Sequence, residues 1–143
     1  MFSQPVRDVM EARKVLKAPP VTTVFEAAQL MAKKNTGYLL VIEDDHLSGI
    51  FTERDMVFRV VAKGLDPKET RVASVMTPTP KTVEPDKPFG YALLMMHKGG
   101  FRHVPVVEHG KLIGMVTARD ALDPDLEEFV AEAQRRKHIQ EMI

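Results

Sequence analysis

The chain has 143 residues, 44% hydrophobic and 28% charged, and its 20 Lys plus Arg balance 20 Asp plus Glu to a formal net charge of zero. That composition fits a soluble globular protein large enough to bury a core, and charge neutrality argues against a nucleic-acid surface, which needs clustered Lys and Arg. The absence of cysteine excludes disulfides, thiolate metal sites and cysteine nucleophiles; with no signal-peptide pattern and no run long enough to span a bilayer, the expected location is cytoplasmic, off the membrane.

In chain order, Val9-Met10 precedes a first short strand near Lys17. Val24, Ala27, Ala28 and Met31 then fall at i, i+3, i+4 and i+7, the apolar stripe of an amphipathic helix. Thr23-x-x-Glu26 opens that helix as a capping box, and Lys33, Lys34 and Asn35 close it. The apolar run Tyr38 to Ile42 reads as a strand covered on both faces, joined by a short polar connection from Glu43 to His46 to a second strand, Leu47 to Phe51. Thr52-x-x-Asp55 starts a helix that is expected to run from Asp55 to Lys63 and stop at Gly64.

The same order then repeats. Gly49-Ile50-Phe51-Thr52-Glu53-Arg54-Asp55 returns as Gly114-Met115-Val116-Thr117-Ala118-Arg119-Asp120, 65 positions later (114 − 49). The offset carries upstream: Phe89, Ala92, Leu93 and Met96 match the first helical stripe, Pro88 is expected at the first helical position, and Gly99-Gly100 close the helix. His103 to Val107 and Leu112 to Val116 are the second pair of strands. Val75-Met76 repeats Val9-Met10 at an offset of 66 (76 − 10), so one residue is gained or lost before the helix. Each unit is strand, helix, strand, strand, helix, and is too small to stand alone. We expect two pseudo-symmetric β-α-β-β-α units over 1–65 and 66–122, packed through their sheets, in an α/β (α+β) architecture. A C-terminal amphipathic helix over 123–143 follows, with a stripe of Leu126, Phe129, Val130 and Ala133 that needs a partner.

From Val6 to Leu122 the chain resembles a tandem pair of CBS domains, the cystathionine β-synthase motif, in the arrangement called a Bateman module. The resemblance rests on Val-Met before each first strand, on the doubled Gly-h-h-Thr-x-Arg-Asp, where h is apolar, and on Arg102-His103-Val104-Pro105-Val106-Val107. It implies two clefts that bind an adenosine-containing ligand such as AMP, ADP, ATP or S-adenosylmethionine. Disc-like homodimers and a regulatory role are also implied.

By that resemblance Asp55 and Asp120 hold ribose hydroxyls, and Thr52 and Thr117 help at the phosphate side. A carboxylate accepting from a vicinal diol beside free helix-start amides is chemically suited to this. Adenine contacts are implied at Thr82-Val83 and at Arg102, His103, Val104 and Pro105, with Arg54, Arg119, Arg102 and His103 available to phosphates. In the first unit Lys17 stands where the second has Thr82, and Gly37-Tyr38 where it has Arg102-His103, so the second unit is expected to be the better site.

Thr-x-x-Asp is also a plain helix N-cap, stabilising without a ligand. The five histidines are scattered, with no metal-site spacing, and Met31, Met95, Met96 and Met115 read as core or interface filler. Phosphate-loop, nucleophile-elbow and zinc-protease motifs are all missing, so a regulatory binding module is expected rather than an enzyme, acting on a partner supplied in trans. The alternative is a ligand-free dimerisation module with vestigial clefts; a nucleic-acid binder is the weakest of the three.

Overall fold

The computed structural model describes residues 2–121, 131–133 and 135–136. Its elements are α1 (Val6–Val9), β1 (Lys17–Ala18), α2 (Val24–Lys34), β2 (Tyr38–Glu43), β3 (His46–Thr52) and α3 (Glu53–Asp55), which runs into a π-helix (Met56–Val61). Then come α4 (Val72–Val75), β4 (Thr77–Pro78), α5 (Phe89–Gly99), β5 (His103–Glu108), β6 (Lys111–Thr117) and a 3₁₀ turn (Ala118–Ala121). The expected C-terminal helix, with Leu126, Phe129 and Val130, falls largely outside the described residues; Ala133 of its stripe is buried. Among the described residues no helix is long and apolar enough to cross a membrane.

The two helices form as their sequences dictate. Thr23 and Glu26 make both bonds of the capping box, and Asn35 ends α2 in the left-handed conformation at φ 50°. Pro88 serves as the N-cap of α5, so the helix starts one residue later than expected, and Gly100 ends it at φ 71°. The hairpins are also twins: Asp44 and Asp45 (φ 50° and 62°) turn β2 into β3, and His109 and Gly110 (φ 52° and 78°) turn β5 into β6. Two consecutive positive φ angles give a turn whose twist matches the strands it joins. Each hairpin carries its register shift at the same place, between Val41 and Ile42 and between Val106 and Val107.

Three local expectations change. The helix after Thr52 is not a plain α-helix: Ala62 N–H donates to Val57 C=O, an i→i+5 bond that widens the turn. The expected first strand of the second unit shrinks to a single parallel bridge, Val83 to Val106, because the flanking Pro80 and Pro85 cannot donate to a ladder. The second motif opens on a 3₁₀ turn, Ala118–Ala121, where a first α-helical turn was expected, and the rest of that expectation lies outside the described residues.

The leading segments of the two units are exchanged. Val72 and Val75 of α4 lie in the first core with Val24, Met31, Leu39, Phe51 and Val60, whereas Val6 of α1 lies in the second with Phe89, Met96, Val104 and Val116. The backbone follows the same exchange: Val24 N–H donates to Thr70 C=O and Val72 N–H to Thr22 C=O, while Phe89 N–H donates to Gln4 C=O and Val6 N–H to Lys87 C=O. β4 adds to the first sheet beside β3, giving the order β1-β2-β3-β4, and Glu11 bridges to Met115 of β6. Each unit therefore covers the other's sheet edge, which neither could leave bare at low cost.

A third cluster joins the units face to face. Tyr38, Leu40, Ile50 and Met115 are buried there, with Leu47 and Leu112 partly buried against them. Ile50 with Met115, and Leu47 with Leu112, are positions related by the 65-residue repeat, so the sheets meet across a pseudo-twofold axis.

Candidate functional site

At the end of β3 the chain turns from strand to helix, and the first amides of α3 have no partner within the helix. Thr52 and Asp55 answer this locally. Asp55 N–H donates to Thr52 Oγ1 at 3.3 Å, and Asp55 Oδ2 accepts from Thr52 N–H at 3.0 Å and from its hydroxyl at 3.2 Å. Asp55 is only 7% exposed, and its other oxygen, Oδ1, lies 3.5 Å from Arg59 Nε. In the second unit Thr117 N–H donates to Asp120 Oδ2 at 2.9 Å, the corresponding bond.

A cavity of ≈ 520 Å³ opens beside the first motif, within the range of small-molecule sites. One wall carries Thr52, Arg54, Asp55 and Arg59; the facing wall is Thr77, Thr79, Pro80 and Lys81, brought over by the segment exchange. Ile50, Phe58 and Phe101 supply apolar surface, and Gly99-Gly100 leave room where α5 ends. His103, from the other unit, completes it. A second chamber of ≈ 440 Å³ shares Thr52, Arg54, Phe58, Phe101 and His103 with the first and adds Glu53 and Arg102. Arg54 lies 4.6 Å over the Phe58 ring, a cation–π contact that holds its guanidinium along the cleft.

The two motifs trade neighbours between the units. His103 packs against Tyr38, its equivalent in the repeat, in a tilted ring contact with centroids 5.3 Å apart and planes 52° apart. Burial pushes His103 below the ordinary histidine value, helped by Arg102 and opposed by Glu53. Tyr38 is pushed up to about 12, first by burial and then by the charges of Glu11 and Asp120, against a bond from the Leu16 backbone. Tyr38 of the first unit therefore sits by Asp120 of the second motif, as His103 of the second unit sits by Thr52 and Asp55 of the first.

Several residues implied by the resemblance are placed apart from this cavity. Lys17 lines a separate groove of ≈ 550 Å³ with Glu26 and Lys33. Thr82 lines a smaller cavity of ≈ 260 Å³, which shares Thr79 and Pro80 with the main one. Val83 and Val104 belong to the second core, and Pro105 is buried. The Val83 backbone is already paired, its N–H donating to Pro105 C=O and its C=O accepting from Val107 N–H. Arg102 and His103 join the first motif rather than Thr117 and Asp120. Arg119 is exposed at the 3₁₀ turn. The residues that sequence reasoning passed over are Thr77, Thr79, Lys81, Phe58, Phe101 and Arg59. Their one available signal was Thr-Pro-Thr-Pro directly after Val75-Met76, an extended hydroxyl-bearing run.

The CBS domain family model matches residues 6–62 and 72–126. A CBS domain-containing protein of Arabidopsis thaliana, CBSCBSPB1, is 42% identical over 104 residues, 72% of this chain. The chain spans only 19% of that relative's length. The crystal structure of an uncharacterized conserved protein from Pyrococcus horikoshii is 32% identical with a TM-score of 0.81, covering 87% of this chain and 94% of that one. A CBS domain protein from Pyrobaculum aerophilum, solved in complex with AMP, is 26% identical with a TM-score of 0.75 over 82% of this chain and 89% of its own.

Proposed function

The chain belongs to the CBS domain family, with two copies in tandem, and from that premise we propose that it is a regulatory module sensing an adenosine-containing ligand. The observation that carries the reading is the cavity in which Thr52, Arg54 and Asp55 face Thr77, Thr79 and Lys81, closed by His103 from the other unit. Asp55 accepts ribose hydroxyls, the threonine hydroxyls and the cations take phosphate oxygens, and the base lies against Ile50, Phe58 and Phe101. The AMP complex of the Pyrobaculum relative supports the ligand class. AMP, ADP, ATP and S-adenosylmethionine are the candidates, in one cleft or in both. Because the cleft is walled by both units, occupancy shifts their relative position, and a partner in trans reads that shift. The 1–65 and 66–122 division describes the repeats in sequence, with leading segments crossing between them.

Homodimer formation is part of the proposal. Val57, Phe58, Val61 and Leu65 are 53%, 53%, 69% and 42% exposed in one stretch of chain, an apolar patch suited to a second copy. That patch, together with a Thr52–Asp55 box whose bonds close on themselves, also favours the second reading, a dimerisation module whose clefts serve no ligand.

A thermal-shift panel of AMP, ADP, ATP, S-adenosylmethionine and GTP decides between them. A ligand at a hundred times its dissociation constant adds about 2.7 kcal/mol, which raises the unfolding midpoint by several degrees. We expect an adenosyl ligand to raise it and Asp55→Ala to abolish the rise in a folded variant. No response from any ligand leaves the dimerisation reading.

A further inference from the structure

Arg59 stands where the two walls of the first cleft meet. Its Nε lies 3.5 Å from Asp55 Oδ1, and its Nη1 donates to the carbonyls of Met76 at 2.9 Å and Val75 at 3.4 Å. Those two carbonyls end α4, where a helix leaves acceptors without internal partners. The next residues along the chain, Thr77, Thr79 and Lys81, form the facing wall. One guanidinium therefore touches the carboxylate on one side and anchors the segment on the other. Lysine cannot do this, since a single ammonium lacks the planar fork of donors.

The carboxylate keeps capacity for a ligand. Asp55 Oδ2 already accepts the Thr52 amide and hydroxyl, whereas Oδ1 faces Arg59 among the described residues and has a second lone pair to offer. A hydroxyl that donates to Oδ1 changes the balance of forces on Arg59, and with it the hold on Val75 and Met76.

We infer that Arg59 is a positioning residue that orients Asp55 for its ligand and ties occupancy of that carboxylate to the placement of the crossing segment Thr77–Lys81. The inference rests on the adenosyl reading above and names how that site reports its state. The repeat puts Pro124 at the matching position of the second unit, a side chain with no donor, so the device belongs to the first cleft. Arg59 is 48% exposed, and an ion pair that open to water contributes little to folding, so the residue can be changed without losing the protein.

The test uses the full chain, AMP as probe, calorimetric titration for affinity, and amide resonances of Thr77 and Thr79 for the response. Arg59→Gln is expected to fold, to bind AMP about tenfold more weakly, and at saturation to move those two amides by roughly half the wild-type shift or less. Arg59→Lys, which keeps the charge but not the fork, is expected to recover affinity and not the amide response. Wild-type affinity together with wild-type amide shifts in Arg59→Gln overturns the inference, as does a variant that is merely less stable with an unchanged dissociation constant. A wild-type chain that binds none of the adenosyl ligands overturns the functional reading itself, and the role of Arg59 with it.

Discussion

The side chain of Met76 crosses Gly49 so closely that a β-carbon on Gly49 would collide with its sulfur. Met10 does the same at Gly114, where a β-carbon would lie 2.6 Å from the sulfur and 2.9 Å from the Glu11 carbonyl oxygen. Two signals that the sequence displays separately, the paired Val-Met and the glycine that opens each strand-to-helix motif, are thus the two sides of one contact. The methionine comes from the leading segment of the opposite unit in each case.

Alanine at these glycines is therefore expected to destabilise the fold, by about 1–3 kcal/mol, the usual range for overpacking. Gly114→Ala is the costlier of the two, because the Glu11 carbonyl is backbone, whereas Met76 at Gly49 is a flexible side chain. Urea denaturation of both variants checks the order. Combining Met10→Ala with Gly114→Ala should give a total loss smaller than the sum of the single losses, since the pair shares one contact.

Thr52→Ala removes the side-chain acceptor at the start of α3 and one donor to Asp55. Loss of an N-cap costs about 1 kcal/mol, so the midpoint of unfolding falls while the fold survives. Thr52→Ser keeps the hydroxyl and should restore most of the stability. If serine restores stability and AMP affinity together, the cap and the ligand contact are the same hydroxyl, which a stability curve and a titration on each variant will establish.

How far the residues announced all this varies by level. The 65-residue repeat, both amphipathic helices and both hairpins were legible, because each is set by local periodicity, caps and turns. Thr52, Arg54 and Asp55, which the structure places along the cavity, were legible because they belong to a recurring local pattern, whereas His103 came only from the resemblance, since the repeat has Tyr38 in its place. The exchange of leading segments was not, since nothing within Val9-Met10 encodes that its partner is Gly114 rather than Gly49. Thr77, Thr79 and Lys81 reach the cleft only through that exchange, and so escaped notice. Val83 and Val104, matched to the motif by position, have their side chains in the second core. The π-turn at Met56–Val61 has no recognisable periodic signal in its residues.

His103 and Tyr38, in tilted ring contact, set opposite pH limbs. Burial lowers the His103 value, so the unfolded chain binds its proton first as the solution is acidified. Stability tied to neutral His103 is complete above the ordinary histidine value of about 6.5 and is lost as pH falls below it toward the folded value. Tyr38 is raised to about 12, so the unfolded chain releases its proton first, and stability falls as pH rises from about 10 toward that value. His103→Gln should flatten the acid limb of a stability-against-pH curve, and Tyr38→Phe the alkaline limb. A His103→Gln curve that still falls with the wild-type slope below about pH 6.5 would assign the acid limb to other groups.

Val61 gives the most direct test of assembly. It is the most exposed of the apolar patch, 69% accessible, and does not line the cleft. A water-facing valine on a lone monomer contributes little to folding, so Val61→Glu should leave stability within about 0.5 kcal/mol. Placed at a dimer interface, the same carboxylate is desolvated without a partner, which costs several kcal/mol and drives dissociation. Sedimentation equilibrium on the wild type and on Val61→Glu separates these cases. A dimer that becomes monomeric with an unchanged monomer fold puts the second copy on this face. A variant that stays dimeric moves the interface elsewhere, with Tyr91 and Leu94 of α5, 48% and 59% exposed, the next surface to carry a charge.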